Sequence, residues 1–541
     1  MNTIDFIIIS QSEVVHYEEY NKMPLDRISL FKNLVQLRMI YYENGFRSHL
    51  DILNKALYDK YFYEGSYVER RKLLSIWNMP GLNGFLATSA LIKEGFDVKI
   101  INNFDAEFDL LEDYSNRMNP PVIGISTTFI LQWSEIGRIA KKIHQTISSD
   151  AILILGGAFI NDQFISKGAK SFEKPMKKYN IKYAIFSFNS ENDILKLMKS
   201  IKKSPDNISS VNNLAYLDST NSFKVTDQVW NDPMLSLFPW DKIDGLDYGQ
   251  ILQIRTSSGC PFNCAFCSYP STAKGYQYLS AEEVKKELDS ASKLKQIKSL
   301  VFVDDTFNVP PKRFKSIVDY LKEYSFKWYS FCRVQFLDEE LVKNMKESGC
   351  DGLYLGLESA NDTVLKNMNK KVRVADYRRG VELLHKYKIP IFAVFIIGFP
   401  GENAKTITDN INFIEQTSID FFSIKEFYYL HNTPVYHKRN QFKLEGEGYQ
   451  WKHGTMTSTE ASEMKMFMFK KINNSIYVDS DMGMWYLIYL RENGFNWEEI
   501  KAFQKILIQM VHKDNIGDYY NKKFLFNKLS NIIKTNSLYN D

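Results

Sequence analysis

The feature that most constrains the fold is a regular alternation of strand-like and helix-like segments between about residues 250 and 430. Short apolar runs such as Ser299–Val303 and Ile391–Ile397 are separated by longer amphipathic stretches. Repeated βα units predict a parallel sheet, here a partial (β/α)6 barrel over residues 251–430. Ligands of such folds bind where the strands end.

Polar or glycine-containing clusters directly follow the predicted strands of this region. A cysteine-rich loop follows Ile251–Thr256, and the later strands are followed by Asp304-Asp305-Thr306, Arg333, Glu358-Ser359 and Gly398-Phe399-Pro400-Gly401. Taken singly, each cluster has an ordinary explanation as a helix cap, a surface ion pair or a turn. Because the carboxyl ends of parallel strands meet at one edge, we expect the clusters to form one site.

The loop after the first strand reads Cys260-Pro-Phe-Asn-Cys264-Ala-Phe-Cys267. A structural zinc site has four protein ligands, whereas an iron–sulfur cube held by three thiolates keeps one iron open to a small molecule. No second pair of cysteines completes a zinc site, although a distant histidine or cysteine could. Cys332 and Cys350 are predicted to be small buried residues.

The cysteine spacing, with Phe266 before the third cysteine, resembles that of the radical S-adenosylmethionine (SAM) enzymes. The resemblance implies a [4Fe-4S] cluster on the three cysteines and SAM at its open iron. It also implies SAM contacts for Phe266, Asp304, Asp305, Thr306, Arg333, Glu358, Ser359, Gly398 and Pro400. Many family members have Gly-Gly-Glu where this chain has Asp304-Asp305-Thr306, which is a departure from the pattern.

A second α/β domain is predicted before the barrel, over residues 1–205. Its predicted strands are Leu73–Trp77, Phe96–Ile101, Val122–Thr128, Ala151–Leu155 and Lys182–Phe186. The alternation with helices predicts a Rossmann-like, doubly wound sheet, but the G-x-G-x-x-G fingerprint of dinucleotide binding is absent. Asp5–Ile9 is predicted as a short strand ahead of a mostly helical segment over about residues 10–70.

A Rossmann-like domain ahead of a radical SAM barrel resembles the cobalamin-dependent radical SAM enzymes. The resemblance implies cobalamin contacts at Pro80, Gly81, Gly84, Ser126, Thr127, Thr128, Gly156 and Gly157. The chain lacks an Asp-x-His-x-x-Gly motif, so no lower axial histidine is expected. The segment over about residues 10–70, with the short strand Asp5–Ile9 ahead of it, resembles the leader of the branch that contains P-methyltransferase-like and peptide-modifying enzymes.

Two further segments complete the predicted organisation. Residues 206–250 are expected to be a linker, and residues 431–541 a mostly helical region that caps the barrel mouth and contributes to the substrate pocket. His431, Trp451 and His453 are candidate substrate contacts. Ordinary hydrogen-bonded loop histidines are the alternative for His431 and His453.

Composition restricts the partners of the chain. The net charge is +4 with both signs interspersed, which gives no case for a nucleic-acid partner, and no apolar run reaches membrane-spanning length. Five cysteines without a signal peptide fit a reducing cytoplasm. The expected partners are a small-molecule or peptide substrate and an electron donor such as flavodoxin or ferredoxin.

These observations lead to one expected function and two alternatives. The expected function is a cobalamin-dependent radical SAM methyltransferase that acts through a 5′-deoxyadenosyl radical and methylcobalamin. A radical SAM rearrangement or cyclisation enzyme would share the cofactors without methyl transfer. A zinc-binding protein without enzymatic activity is the alternative from another class.

Overall fold

The structure is a computed structural model that describes residues 4–13, 37–43, 45–58, 73–203, 205–233, 249–512 and 519–534, together with Phe238 and Trp240. Most of the segment over residues 10–70, including most of its predicted helices, therefore lies outside the described residues. The chain divides into two compact units. Unit 1 comprises Met1–Val15, Glu69–Gln253 and Lys286–Ile297; unit 2 comprises His16–Val68, Ile254–Lys285 and Lys298–Asp541.

The strands of the described residues are β1 (Phe6–Gln11), β2 (Ile40–Tyr42), β3 (Gly45–Arg47), β4 (Val98–Asn103), β5 (Val122–Ser126), β6 (Ile152–Gly156), β7 (Tyr183–Ile185), β8 (Leu214–Leu217), β9 (Phe223–Val225), β10 (Ile251–Ile254), β11 (Ser257–Gly259), β12 (Tyr276–Tyr278), β13 (Ser299–Phe302), β14 (Lys327–Cys332), β15 (Cys350–Glu358), β16 (Ile391–Ile397), β17 (Phe421–Glu426), β18 (Glu445–Glu447), β19 (Gln450–His453), β20 (Met456–Thr457) and β21 (Ile476–Tyr477).

The α-helices are α1 (His49–Leu57), α2 (Leu82–Lys93), α3 (Phe108–Ser115), α4 (Trp133–Thr146), α5 (Ala158–Lys167), α6 (Glu173–Tyr179), α7 (Glu191–Lys203), α8 (Tyr269–Ala273), α9 (Ala281–Ala291), α10 (Pro311–Leu321), α11 (Glu339–Glu347), α12 (Asp362–Asn367), α13 (Val374–Lys386), α14 (Ala404–Thr417), α15 (Arg439–Phe442), α16 (Ser458–Lys471), α17 (Met484–Glu492), α18 (Trp497–His512) and α19 (Tyr519–Lys534). No helix among the described residues is long and apolar enough to cross a membrane.

The first sheet has the strand order β4-β1-β5-β6-β7-β8-β9. The strands from β4 to β7 are parallel, and β8 and β9 are antiparallel additions at one edge. Ile7 and Ile9 of β1 lie in a core that also contains Ile136 and Ile139 of α4. This parallel α/β sheet confirms the predicted Rossmann-like class of the domain.

The predicted strand at Leu73–Trp77 is wrong. Those residues are irregular until a single 3-10 turn at Ile76–Asn78, where the Ser75 hydroxyl accepts a hydrogen bond from the Trp77 amide. Such local side-chain bonds favour a turn over a strand. The position between β4 and β5 is taken by β1, whose Ile7-Ile8-Ile9 run is apolar on both faces, as a central parallel strand requires.

Part of the segment over residues 206–250, which we expected to be a linker, belongs to the first sheet. Strand β8 pairs antiparallel with β7, and β9 pairs antiparallel with β8. The short turn after Asp218, whose carboxylate accepts the Thr220 and Ser222 amides, sets this hairpin. Alternating strands and helices predict parallel neighbours only, so this antiparallel edge was not predicted.

The second sheet has the strand order β10-β13-β14-β15-β16-β17-β21. Neighbouring strands from β13 to β21 are parallel, as expected for a partial barrel. One row of aromatic side chains packs across it: the Phe331 and Tyr354 ring centroids are 4.7 Å apart, and those of Tyr354 and Phe392 are 5.2 Å apart. These aromatic contacts pack β14, β15 and β16 against one another on one face of the sheet.

The region after residue 431 is mostly helical, as predicted, but it also contains strands. Residues 445–457 form the antiparallel sheet β18-β19-β20, and β21 extends the second sheet beside β17. Helix α1 belongs to the segment His16–Val68, which lies in sequence between two pieces of unit 1, and it packs against α19. Unit 2 therefore combines the barrel with this segment and with the last helices of the chain.

Candidate active site

The cysteine loop is attached to the second sheet by its backbone. Gly259 closes β11 with φ +80°, and any side-chain carbon there would overlap the carbonyl of Gly275, which directly precedes the paired strand β12, so glycine is required. Farther along the loop, the Ala265 amide donates to the Met368 carbonyl at 2.8 Å, and the Ala265 carbonyl accepts from the Val435 amide at 2.9 Å. These bonds place the cysteines at the carboxyl edge of the barrel.

The three cysteine side chains are close enough to influence one another. Cys264 is buried, whereas Cys260 and Cys267 are half-buried. Burial raises the pKa of the Cys267 thiol to about 11, and the neighbouring Cys264 and Cys260 add to the rise. A shared cationic centre would reverse this, because metal ligation stabilises the thiolate.

No three histidine, cysteine, aspartate or glutamate side chains in the described part of the chain converge on a point suited to one metal ion. Thiolates of an iron–sulfur cube bind different iron atoms, so they do not need such a point. The donor set fits a cube with one open iron, since three thiols stand on one loop.

Arg333 is bound to the cysteine loop rather than left open for a ligand. Its Nη2 donates to Cys264 Sγ at 3.0 Å, its Nη1 donates to the Lys370 carbonyl at 3.1 Å, and its guanidinium lies 3.5 Å from the centre of the Phe262 ring. The guanidinium is thus a charged hydrogen-bond donor to the sulfur of Cys264. The predicted pairing with a SAM carboxylate competes with these three contacts.

The two neighbouring aspartates after β13 have different environments. Asp304 is 1% exposed and accepts hydrogen bonds from the amide and hydroxyl groups of Thr256 and Ser257, at 2.5 to 2.8 Å. Asp304 therefore holds the start of the cysteine loop. Asp305 is exposed and accepts a hydrogen bond from Tyr269, and Thr306 Oγ1 lies 3.7 Å from Cys260 Sγ. Of the pair, Asp305 is the carboxylate that a ligand ammonium group can reach.

Glu358 ends β15 and forms a buried ion pair that the sequence did not indicate. Its Oε1 lies 2.9 Å from Lys370 Nζ, and the two side chains are 10% and 7% exposed. Lys370 Nζ also lies 5.7 Å from the centre of the Phe266 ring. Ser359 instead accepts the Asn361 amide and caps the following turn. Glu358, Lys370 and Phe266 thus form one polar and aromatic wall.

The turn after β16 depends on two glycines and a buried carboxyl group. Gly398 and Gly401 have φ values of +89° and +103°. Glu402 accepts the Gly398 amide at 2.6 Å and the Phe399 amide at 3.1 Å, and burial raises its pKa to about 8. The turn, which includes Pro400, is therefore held from behind by Glu402, a residue that the sequence analysis did not single out.

Trp451 and His453 support this turn. Trp451 Nε1 donates to the Phe427 carbonyl at 2.8 Å, and His453 Nε2 lies 3.0 Å from the Gly398 carbonyl. The two buried rings stack with centroids 5.2 Å apart. His431, by contrast, is exposed and lies beside the Tyr436 ring. The three candidate substrate contacts therefore do not form one group, and two of them are packed behind the turn.

In unit 1 the predicted cobalamin contacts meet at the carboxyl edge of the first sheet. The Asn83 amide donates to Ser126 Oγ at 2.6 Å and to the Ser10 carbonyl at 2.7 Å, while its buried Oδ1 has no hydrogen-bond partner among the described residues. Pro80, Gly81 and Gly84 lie in or beside the turn into α2.

Gly157, after β6, has φ +110°, and a side-chain carbon there would lie 3.0 Å from the Thr127 and Thr128 amide nitrogens. Beside it, Gly156 is open, with only a backbone carbonyl at 3.9 Å from such a carbon. The Thr127 amide donates to the Gly156 carbonyl at 2.7 Å, so this edge offers the Thr128 amide, hydroxyl groups and the unpaired Asn83 Oδ1.

Comparison with known proteins agrees with the geometry of unit 2. The profile of the radical SAM superfamily matches residues 254–414, which span the cysteine loop and the strand ends described above. Residues 254–414 are thus a radical SAM domain, and the chain is an enzyme. The fold, the [4Fe-4S] cluster and SAM expected from the sequence follow from the presence of this domain.

Relatives extend the similarity beyond this domain. An uncharacterized methyltransferase of Pyrococcus horikoshii, PH0819, is 26% identical over 355 residues, which cover 62% of this chain and 74% of that protein. Bacteriochlorophyllide d C-12(1)-methyltransferase of Chlorobaculum tepidum is 30% identical over 200 residues, which cover 35% of this chain and 44% of that protein. The second match spans less than half of its relative.

Among solved structures, the radical SAM methyltransferase TsrM from Kitasatospora setae, with cobalamin and a [4Fe-4S] cluster bound, superposes with a TM-score of 0.57. The alignment covers 84% of this chain and 96% of TsrM at 14% identity. At this identity the similarity shows a shared fold across both units.

Proposed function

We propose that this protein is a cobalamin-dependent radical SAM methyltransferase. The observation that carries the proposal is the cysteine loop itself: three cysteines stand at the carboxyl edge of a parallel barrel, with Arg333 on the sulfur of Cys264. The methyltransferase names of the sequence relatives and the cobalamin bound in TsrM support the particular reaction. The substrate is a small molecule or a peptide.

The residues of unit 2 would hold the cluster and SAM. Cys260, Cys264 and Cys267 would ligate the cube, and Asp305 would accept hydrogen bonds from the SAM ammonium group. When bound, the cluster and SAM supply a one-electron cleavage that yields a reactive adenosyl group. The contribution of the chain is to orient SAM against the Gly398 turn and the wall formed by Glu358, and to keep water away from the reacting atoms.

The carboxyl edge of the first sheet would hold cobalamin. Gly156 leaves space for a large flat ligand, Gly157 lets the backbone approach Thr127 and Thr128 closely, and Thr128 presents its backbone amide at this edge. The unpaired Asn83 Oδ1 would accept a hydrogen bond from an amide of the corrin side chains. When bound, cobalamin supplies a transferable methyl group.

Anaerobic reconstitution with iron, sulfide and hydroxocobalamin tests the proposal. We expect iron–sulfur absorbance, retention of cobalamin on desalting, and cleavage of SAM to 5′-deoxyadenosine and methionine after reduction. Cys264→Ala should abolish the cluster absorbance, whereas Cys350→Ala, at a buried cysteine outside the motif, should leave it unchanged. A cluster without retained cobalamin would overturn the methyltransferase part of the proposal.

A further inference from the structure

A buried cluster of charged side chains lies at the ends of β17 and β21, apart from the cysteine loop. We call it the Asp479 cluster: Arg38, Lys425, Glu426, Lys465 and Asp479, all in unit 2. Asp479 accepts a hydrogen bond from Arg38 Nε at 3.0 Å, forms an ion pair with Lys425, and lies 4.0 Å from Lys465 Nζ. Burial alone would raise the pKa of Asp479, but Lys425, Arg38 and Lys465 lower it to about 2.

The cluster has more positive than negative groups. Three cations stand against two carboxylates, which gives a formal charge of +1. Burial lowers the pKa of Lys465 and raises that of Glu426. Transfer of a proton from Lys465 to Glu426 would neutralise both groups and leave the net charge of the cluster at +1. The side chains of Arg38 and Lys425 are 40% and 42% exposed, whereas that of Asp479 is fully buried. The accessible side of the cluster is therefore cationic.

The position of Lys425 directs this cationic side into the barrel. Tyr354 stacks on Phe392, and Phe392 pairs with Phe421, so these residues share one face of the sheet. Lys425 lies four residues after Phe421 in β17 and therefore projects from the same face. Lys425 is also the register partner of Ile396, close to the Gly398 turn.

One tyrosine links the Asp479 cluster to the candidate SAM site. Burial raises the pKa of Tyr354, and the charges of Glu358 and Asp479 raise it further. Both carboxylates are therefore close enough to influence the same phenol. A ligand group bound at Lys425 would lie at the carboxyl edge of the second sheet, where Glu358 and the Gly398 turn also lie.

Two tyrosine rings border the cluster. The charges of Arg38, Glu426 and Asp479 act on the half-buried Tyr449. The centroid of its ring lies 4.7 Å from that of Tyr428, which is 46% exposed. A cationic spot beside a partly exposed aromatic pair suits a ligand with an anionic group on a flat apolar body.

We infer that the Asp479 cluster is a substrate subsite in which Arg38 and Lys425 bind an oxyanion, a carboxylate or a phosphonate, attached to an aromatic or similarly flat body that packs on Tyr428 and Tyr449. The planar guanidinium of Arg38 suits two-point binding of either oxyanion, and Asp479 holds both cations in place. Calling the ligand a substrate rests on the proposed function; the anion binding itself does not.

Binding of matched probe pairs to the full-length protein tests the inference. Benzoate and phenylphosphonate are compared with neutral benzamide by titration calorimetry and saturation-transfer NMR. We expect both methods to show that at least one of the two acids binds more tightly than benzamide, and the acid that binds more tightly identifies the preferred oxyanion. Lys425→Met should lower the affinity for that acid by about tenfold or more and leave the affinity for benzamide unchanged.

Two controls separate charge loss from misfolding. Lys425→Arg should retain most of the affinity, and Lys452→Met removes a lysine that is 63% exposed on β19 and should have no effect. Equal binding of the acids and benzamide by the wild-type protein would overturn the inference, whatever the variants do. SAM cleavage is measured on the same samples, so a failed anion subsite with intact cleavage is distinguished from a failure of the proposed function.

Discussion

At the residue scale, Glu402 shows how one carboxyl group can organise a cofactor turn. It accepts both the Gly398 and the Phe399 amides from a fully buried position, and burial raises its pKa to about 8. The folded protein therefore binds this proton more tightly than the unfolded chain does. The resulting stability is complete below the ordinary pKa of 4.5 and is lost as the pH rises through about 8.

Glu402→Gln should remove this pH dependence while keeping an acceptor oxygen for both amides. We expect the wild-type protein to lose more unfolding free energy than the variant between about pH 5 and pH 9, by a difference on the order of 2 kcal/mol. Denaturant unfolding at several pH values, followed by tryptophan fluorescence, measures it. Parallel curves for the two proteins would contradict the assignment.

Arg333 supports a second prediction at the same scale. Because its Nη2 lies 3.0 Å from Cys264 Sγ, removing its charge should make that thiolate a poorer ligand. We expect Arg333→Gln to lose bound iron several times faster than wild type when a chelator is added, with Arg333→Lys intermediate. The exposed Arg117, paired with Asp113 on α3, provides the matched control Arg117→Gln, which should lose iron at the wild-type rate.

At the scale of elements, the carboxyl edge of the first sheet depends on Gly157. Gly157→Ala should strain a backbone at φ +110° and push a methyl group against the Thr127 and Thr128 amides, at a cost of about 1 to 3 kcal/mol. Gly168→Ala introduces similar strain at φ +73° where no atom lies within 4 Å. We expect cobalamin retention to fall in Gly157→Ala and to persist in Gly168→Ala, with iron content unchanged in both. Equal retention would contradict a ligand at this edge.

The individual strands and turns differ in how well the sequence predicted them. Strands such as Ile391–Ile397 are apolar throughout and are followed by glycine or acidic residues. The sequence therefore predicted both the parallel sheet and the edge at which the candidate site lies. The prediction of a strand at Leu73–Trp77 was wrong because it relied on apolar content alone, which does not indicate that Ser75 Oγ accepts a hydrogen bond from the Trp77 amide. Glycines 157 and 398 were found, since a glycine at a strand end carries a conformational signal.

Lys370, Glu402 and the Asp479 cluster were not predictable in the same way. Lys370 and Glu358 are 12 positions apart in sequence, and Arg38 and Asp479 are 441 positions apart. Single charged residues in polar segments carry no periodic signal, and their role arises only from the tertiary contact. The same holds for Trp451 and His453, which we expected at the substrate and which instead support the Gly398 turn.

At the scale of the whole molecule, the segment His16–Val68 lies in sequence between two pieces of unit 1 and yet is part of unit 2. Helix α1 begins at His49, which is fully buried; its amide donates to Ser480 Oγ at 3.2 Å and its Nδ1 lies 3.3 Å from Gln504 Oε1. Ser48 caps the helix through a capping box with Asp51. This segment thus contributes to the packing of the last helices.

His49 makes this packing sensitive to acid. Burial lowers its pKa to about 4, from 6.5, despite the hydrogen bond to Gln504 and the charge of Asp479. The folded protein therefore binds this proton less tightly, and the stability contributed above pH 6.5 is lost as the pH falls through about 4. Asp481 faces the same helix, and its pKa, raised to about 6 by burial, acts in the opposite sense because its neutral form stabilises the fold at low pH.

Amide hydrogen exchange at pH 7 and pH 5 isolates the histidine from these opposing groups. We expect α1 and α19 of the wild-type protein to lose protection at pH 5 by on the order of 1 to 2 kcal/mol relative to His49→Gln, since glutamine cannot ionise. The exposed His437 gives the matched control, and His437→Gln should behave as wild type. If His49→Gln lost protection to the same extent as the wild-type protein, the acid sensitivity would belong to another group, and His49 would serve only to fill space between α1 and α18.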